Sequence, residues 1–386
     1  MNILFLSDVY FPRINGVSTS IYTLRGQLIE MGHSVHLVAP DYFSPSEDES
    51  WITRVPARYL PFDPEDRLIR YGQALDVCTS RLRQDFDLIH VHTPFAAHYL
   101  GLRLARRYGI PCVETYHTFF EDYLHHYLPI LPKPMLRYGA RSLSRRQCNA
   151  MGAVVAPSQP MLDALRGYGV KVRAEVIPTG LEEHSFAPGD GGGFRQRYGI
   201  PFDRPVLLFV GRVAHEKNIG FLLRMMAQLR QACPEALLVI AGEGPALGSV
   251  RAEVHTLGLQ DNVRFLGYLD RKTELNDCYL AADIFVFSSL TETQGLVLLE
   301  AMAQGVPVVA IAEMGTKSIL REGEGAVIAP RDEDVFAAKV KRLLANPAER
   351  LQLGQAARLY ARQWSACSMA ERMVDFYRMI ISLGKN

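Results

Sequence analysis

Glu292 and Glu300 stand eight residues apart in Thr291-Glu292-Thr293-Gln294-Gly295-Leu296-Val297-Leu298-Leu299-Glu300-Ala301-Met302-Ala303-Gln304-Gly305, and Glu300 is the only charged residue between Glu292 and Gly305. The run from Leu296 to Ala303 is otherwise apolar on every side, which is the pattern of a buried helix. A carboxylate in such a helix is costly unless a side chain or a polar ligand meets it. With the helix starting at Gly295, the N–H groups of Gly295, Leu296 and Val297 have no intrahelical partner and suit a phosphate. Glu300 then lies about two turns along, where a carboxylate suits the paired hydroxyls of a ribose. Glu292, in the preceding loop, is placed to grip a sugar ring.

A second group supplies cations. The strand-like run Val206–Gly211 leads into Arg212-Val213-Ala214-His215-Glu216-Lys217-Asn218. A forked guanidinium and a point charge five residues apart suit a diphosphate, and Gly211 permits close backbone approach. The plain alternative is a pair of surface charges after a strand. Further on, Gly242-Glu243-Gly244-Pro245-Ala246-Leu247-Gly248 nearly matches the dinucleotide fingerprint. Its last glycine falls one place late and Pro245 follows the second, so it reads as a nucleotide-facing turn and not as a NAD site. Near the N-terminus, Pro12-Arg13-Ile14-Asn15-Gly16-Val17-Ser18 joins a strand to a helix. Gly16 there marks either an anion site at a helix start or an ordinary turn.

Histidines gather at His90-Val91-His92 and at Tyr116-His117-Thr118. His90 and His92 share one face of a strand, but no third ligand at the right spacing completes a zinc site. One of that pair is expected to be structural, and His117 is the better functional candidate. The stretch after it crowds aromatics, among them Tyr116, Phe119, Phe120 and Tyr123, into a proline-flanked loop. Lys133, Arg137, Arg141 and Arg145 follow at four-residue spacing, with no acid from Lys133 to Ala150. A basic stripe is usually a solvated helix face. Beside an aromatic loop it also suits an anionic membrane surface.

The elements that carry these residues alternate along the chain. Short apolar runs occur at Ile3–Ser7, Ser34–Ala39, Leu88–His90, Pro111–Thr115, Ala153–Ala156 and Glu175–Ile177. A second set occurs at Val206–Gly211, Ala236–Ala241, Val263–Phe265, Ile284–Phe287, Val308–Ile311 and Gly325–Ile328, with helical patterns between. This predicts two doubly wound α/β domains of similar size, each a parallel sheet covered on both faces. The boundary composition lies between Pro178-Thr179-Gly180 and Pro188-Gly189-Asp190-Gly191-Gly192-Gly193. Ligands of such sheets bind beyond the carboxyl ends of the strands, where most of these motifs sit. Met373, Phe376, Tyr377 and Ile380 fall at helical spacing on a closing amphipathic helix.

Composition excludes several classes. The 386 residues exceed one ordinary core. Lys plus Arg number 42 against 41 Asp plus Glu, so a dedicated nucleic-acid binder is not expected. The six cysteines are scattered without a Cys-x-x-Cys pair, which reads as reduced cytosolic thiols. No signal-peptide or membrane-span pattern is seen.

Taken together, the Glu292-to-Glu300 pattern with the following Ala-Met-Ala-Gln-Gly-Val-Pro-Val-Val, the Gly211-Arg212…Lys217 segment, the Gly242-Glu243-Gly244-Pro245 turn, the Asn15-Gly16-Val17 loop and His117 resemble retaining glycosyltransferases of family 4, over nearly the whole chain. The resemblance implies a GT-B fold, two Rossmann-like domains facing a central cleft. Residues 1–180 would bind the acceptor and 181–365 the nucleotide sugar, while 366–386 would cross back to the first domain. It implies that Arg212 and Lys217 hold the donor diphosphate and that Glu300 binds ribose in place of any basic side chain. Glu292 positions the hexose with backbone help from Gly295 and Leu296, Gly16 lies near the phosphates, and His117 reaches the sugar. No obligatory metal or cofactor is implied beyond a nucleotide sugar, expected to be a UDP-hexose. The segments around His90–Phe95 and Thr115–Tyr123 resemble bacterial enzymes that glucosylate diacylglycerol. That makes the expected protein a cytoplasmic one, peripheral on the inner face of the membrane. A soluble or polyprenol-linked acceptor, a nucleotide-sugar epimerase and a noncatalytic sugar-nucleotide binder are the competing readings. The last has little need of all four of Arg212, Lys217, Glu292 and Glu300.

Overall fold

The computed structural model describes residues 1–13, 15–42, 50–60, 63–81, 85–117, 133–271 and 273–384. The chain divides into two compact units, Met1–Gly180 with Ala366–Asn386, and Leu181–Ser365.

The first unit contains β1 (Asn2–Leu6), β2 (Ser34–Pro40), β3 (Ile52–Val55), β4 (Ala57–Leu60), β5 (Asp63–Ile69), β6 (Leu88–Val91), β7 (Cys112–Thr115), β8 (Ala153–Ala156) and β9 (Arg173–Val176). Its helices are α1 (Gly16–Glu30), α2 (Tyr71–Arg81), α3 (Ala96–Tyr108), α4 (Lys133–Ala150) and α5 (Gln159–Gly167). Seven strands form one sheet in the order β3-β2-β1-β6-β7-β8-β9, with every neighbouring pair parallel. Strands β1, β6, β7 and β8 are buried along almost their whole length, which is why they read as short apolar runs. The pair β4 and β5 forms a separate antiparallel ladder.

The second unit contains β10 (Val206–Val210), β11 (Leu237–Ala241), β12 (Val263–Gly267), β13 (Ile284–Phe287), β14 (Val308–Ile311) and β15 (Ala326–Ala329). They pair in parallel in the order β12-β11-β10-β13-β14-β15. Helices α6 (Gly191–Arg197), α7 (Ile219–Leu229), α8 (Leu247–Thr256), α9 (Leu275–Leu280), α10 (Leu296–Ala303), α11 (Thr316–Ile319), α12 (Glu333–Ala345) and α13 (Pro347–Ala361) connect and cover them. Helix α10 buries Leu298, Leu299, Ala301 and Met302 in the core of this unit. Each large side chain there contributes about 1.5–3 kcal/mol of apolar burial. The chain enters and leaves at one place: Leu181 pairs with Ser365, and its N–H donates to Trp364 O at 2.7 Å.

The last helix, α14 (Ala366–Leu383), belongs to the first unit. It packs on α1, and its Met373, Val374, Phe376, Tyr377 and Ile380 join Ile3, Phe5, Ile21 and Leu28 in one core. The periodic stripe read from the sequence is its buried face.

Candidate active site

In the second unit the strand order reverses between β10 and β13. Such a reversal is where ligands of doubly wound sheets bind, beyond the carboxyl ends of the strands. The loop after β10 carries Arg212 and Lys217, and the loop after β13 carries Glu292. Lys217 Nζ and Glu292 Oε1 lie 2.5 Å apart, with both side chains mostly covered. The lysine ends a 3-10 turn, His215–Lys217, that is tied to the end of β13 by two serines. Ser288 Oγ donates to Asn218 O at 2.9 Å, and Ser289 Oγ donates to Glu216 O at 3.2 Å. Asn218 closes the turn at φ 55°, a left-handed conformation that asparagine tolerates. The serines and Asn218 were not singled out from the sequence. Their signal was only their place, directly after a buried strand. Arg212 is half-buried on the same loop.

Glu292 is held by its backbone as well, since its carbonyl accepts from Gly315 N at 2.8 Å. Gly295 follows at φ 96°, and α10 begins at Leu296 with no side-chain cap. Leu296 and Val297 are half-buried at this start. The helix thus presents backbone donors and the positive end of its dipole beside the Lys217–Glu292 pair.

Glu300 is 4% exposed, and the structure corrects what was expected of it: a basic side chain does pair with it. Arg271 Nη2 donates to Glu300 Oε1, and Tyr279 Oη donates to Glu300 Oε2 at 2.8 Å. The neighbouring carboxylate holds the Arg271 guanidinium above its usual range. Burial first, and Glu300 second, push the Tyr279 phenol well above its own. Arg271 comes from the loop after β12 and Tyr279 from α9, so neither was visible from spacing along α10.

Gly242 and Gly244 have a packing cause. At φ 138° and 157° respectively, a Cβ at Gly242 would lie 2.0 Å from Gly211 O, and one at Gly244 2.4 Å from Val213 O. The two loops are laced together: Val213 N donates to Glu243 O at 2.8 Å and Ala246 N to Val213 O at 3.0 Å. The turn therefore supports the cation-bearing loop from behind.

In the first unit the order reverses between β1 and β6. Asp8, just past β1, accepts from Thr93 Oγ1 at 2.8 Å and from Ala97 N, at the start of α3, at 3.0 Å. It is 3% exposed, and burial pushes its carboxyl up to about 6. Gly16 opens α1, where Asn15 accepts from Ser18 N at 2.9 Å as a side-chain cap. A Cβ at Gly16 would meet nothing within 4 Å. Ile14 lies outside the described residues.

His92 Nδ1 is 3.4 Å from His117 Nε2. His90 is structural: its Nδ1 meets Tyr377 Oη at 2.5 Å and its Nε2 meets Thr115 Oγ1 at 2.7 Å. Burial lowers His90 to about 3 and His117 to about 4, and takes His92 well below the ordinary imidazole value. Tyr116 is a second correction. It is 3% exposed, and its hydroxyl shares a 2.7 Å hydrogen bond with Ser144 Oγ of α4, so it faces the core and not an acceptor or a membrane. Arg137, Arg141 and Arg145 are exposed on α4, as are Met135 and Tyr138. Arg141 also lies over the Tyr168 ring at 5.6 Å. Phe119, Phe120 and Tyr123 lie outside the described residues, as does the side chain of Lys133, whose backbone begins α4. Among the described residues no three His, Cys, Asp or Glu side chains are grouped as for a metal ion. No helix among them is long and apolar enough to cross a membrane.

Residues 14–185 match the family described as Glycosyltransferase Family 4, and residues 193–360 the family described as Glycosyl transferases group 1. The chain is 32% identical over 389 residues to the alpha-monoglucosyldiacylglycerol synthase of Streptococcus pneumoniae, covering 98% of this chain and 85% of that protein. It is also 32% identical over 311 residues to the D-inositol 3-phosphate glycosyltransferase 2 of Catenulispora acidiphila, covering 76% of this chain and 70% of that one. The solved structure of HepE from Anabaena in complex with UDP and glucose superimposes with a TM-score of 0.79 at 18% identity, covering 98% of this chain and 100% of that one. The two parallel sheets, the helices between them and these likenesses define the GT-B fold, and the chain belongs to glycosyltransferase family 4.

Proposed function

We propose that this glycosyltransferase moves a glucosyl group from UDP-glucose to diacylglycerol, with retention at the anomeric carbon. It does so as a peripheral protein on the cytoplasmic face of the cell membrane. The observation that carries this reading is the identity of 32% across 98% of the chain to a protein named for glucosylating diacylglycerol. The relative named for inositol phosphate matches a smaller share of the chain, so a soluble acceptor ranks second. Exposed Arg137, Arg141 and Arg145 beside exposed Met135 and Tyr138 on α4 support contact with an anionic leaflet. Lys133, Phe119, Phe120 and Tyr123 keep the membrane-contacting role expected from the sequence.

In the proposed reaction the sugar–phosphate bond breaks while negative charge builds on the diphosphate. Arg212, Lys217 and the N–H groups of Gly295, Leu296 and Val297 are preorganised donors for that charge, which removes the need for an obligatory metal. An arriving diphosphate gives Lys217 a second anion, and Glu292 turns to the hexose. Glu300 keeps Arg271 and Tyr279 and offers its remaining lone pairs to the ribose hydroxyls. Gly242 acts through the loop it supports, and Gly16 leaves room beside the phosphates. His117 is the residue of the first unit assigned to the sugar. Retention without a protein nucleophile follows from attack on the same face, with a donor phosphate oxygen taking the acceptor's proton.

The test is a panel of nucleotide sugars against diacylglycerol in anionic vesicles, inositol 3-phosphate and no acceptor, with linkage read by NMR. An alpha-glucosyl lipid formed from UDP-glucose is expected. Preferred transfer to the soluble acceptor, consumption of donor without any acceptor, or failure to sediment with anionic vesicles would overturn the lipid assignment.

A further inference from the structure

The two oxygens of Glu300 are divided between donors from different elements. Oε1 accepts from Arg271 Nη2, in the loop after β12, and Oε2 accepts from Tyr279 Oη, on α9, at 2.8 Å. The two donors are not alike. Tyr279 is 0% exposed, and its ring packs against Phe285 of β13 with the centroids 5.8 Å apart. Burial pushes its phenol well above the ordinary value, so it keeps its proton and is the donor of its pair. The Arg271 side chain is 35% exposed and sits on a long, flexible stem.

This difference sets the orientation of the carboxylate. A guanidinium most readily takes both oxygens of a carboxylate as a fork, with two parallel N–H donors meeting two acceptors. Tyr279 holds Oε2 from within the core and so keeps the carboxylate from closing on Arg271 in that way. Each oxygen then retains accepting capacity beyond its protein partner, in a plane fixed by a packed side chain. Two oxygens held in one plane match two adjacent hydroxyls. A site built to accept from substrate hydroxyls discriminates against an analogue that lacks one, because the site's polar groups lose their partner.

We propose that Tyr279 is a positioning residue for the donor's ribose: it holds the Glu300 carboxylate open toward the adjacent hydroxyls, and the site thereby selects ribonucleotide over deoxyribonucleotide sugars. This rests on the assignment of Glu300 to the ribose. Arg271 balances the charge of Glu300 and follows the orientation that Tyr279 sets.

The test is calorimetric titration of the full chain with UDP, 2′-deoxy-UDP and 3′-deoxy-UDP, beside melting curves. The three ligands share base and diphosphate, so their ratios report the ribose contact, whereas a general loosening of the site would weaken all three alike. The wild type should bind at least one deoxy analogue roughly tenfold to a hundredfold more weakly than UDP, the range for a hydrogen bond to a charged group. In Tyr279→Phe, which keeps the packed ring, that preference should shrink to roughly threefold or less. In Arg271→Met it should persist, since Tyr279 still holds Oε2. An unchanged preference in folded Tyr279→Phe overturns the proposal. Loss of the preference in Arg271→Met also overturns it, by giving the orienting role to the arginine, and this holds even if Tyr279→Phe does not fold. Equal binding of all three ligands by the wild type would instead overturn the ribose assignment of Glu300 on which the proposal stands.

Discussion

Lys217 and Glu292 meet at 2.5 Å across the point where the strand order of the second sheet reverses. The lysine is 20% exposed and the glutamate 14%, and a partly exposed pair of this kind adds only about 0–1 kcal/mol to folding. On the proposed function the pair serves a ligand more than stability. Lys217→Ala should therefore fold normally and lose transfer by roughly 10²–10³-fold, the usual cost of one donor to a developing anion. Initial rates with UDP-glucose and diacylglycerol vesicles, beside a melting curve, check this. Wild-type turnover in the variant would remove Lys217 from the site.

Glu292→Gln separates the two ends of the donor. With the carboxylate gone, Lys217 loses the anion it pairs with in the protein. UDP should bind the variant at least as tightly as the wild type, while transfer falls because the hexose hydroxyls lose a charged acceptor and face an amide in its place. Calorimetric titration with UDP, paired with turnover, gives both numbers. Weaker UDP binding in Glu292→Gln would place the glutamate at the diphosphate instead of the sugar.

Glu300→Ala acts on folding as well as on binding. The carboxylate is the partner of Arg271 and of the buried Tyr279 hydroxyl, and removal leaves both polar groups without it. The arginine is 35% exposed, so water recovers part of the loss, and about 1–3 kcal/mol of stability should go. UDP affinity should fall in addition. Urea unfolding with and without UDP separates these effects. A variant as stable as the wild type that still binds UDP normally would contradict both roles.

Much of this is legible in the sequence alone. Buried parallel strands write themselves as short apolar runs, so all the strands of the second sheet were placed to within about two residues. Strands β3, β4 and β5 were not expected. Pro56 interrupts the segment, and Asp63–Ile69 is mostly polar, so no apolar alternation survives there. Glu300 was rightly singled out as needing a partner, but Arg271 reaches it from another loop, and side-chain pairing between loops leaves no periodic trace. Tyr116 failed for a related reason. An aromatic at a strand end reads alike whether it faces a lipid or bonds to Ser144.

Gly242→Ala tests the lacing of the two loops. The new methyl would stand 2.0 Å from Gly211 O at a φ of 138°, and backbone cannot yield as a flexible side chain does. The strain should cost about 1–3 kcal/mol. It should also displace the loop that carries Arg212 and Lys217, raising the dissociation constant for UDP. Gly248→Ala, in helix α8 where a Cβ would meet nothing within 4 Å, serves as the control: it should raise stability by about 0.4–1 kcal/mol and leave UDP affinity unchanged. Equal behaviour of the two variants would deny Gly242 its packing role.

Acid should expose the opposite demands of two buried groups in the first unit. Burial lowers His90 to about 3, so its neutral form contributes stability that is present above about pH 6.5 and lost as pH falls toward 3. The margin of the wild type over His90→Asn should therefore narrow by about 1.4 kcal/mol per pH unit below pH 6.5. Asp8 is raised by burial to about 6, and the sign reverses. Its protonated form favours the fold below about pH 4, and that contribution disappears as pH rises through 6. Asp8→Asn keeps an oxygen to accept from Thr93 and Ala97 and carries no charge, so it should gain on the wild type between pH 4 and 6. Denaturant unfolding of the three proteins at pH 4.5, 5.5 and 7 reads both trends. Parallel pH dependences would show that neither group is buried in the protonation state the structure assigns it.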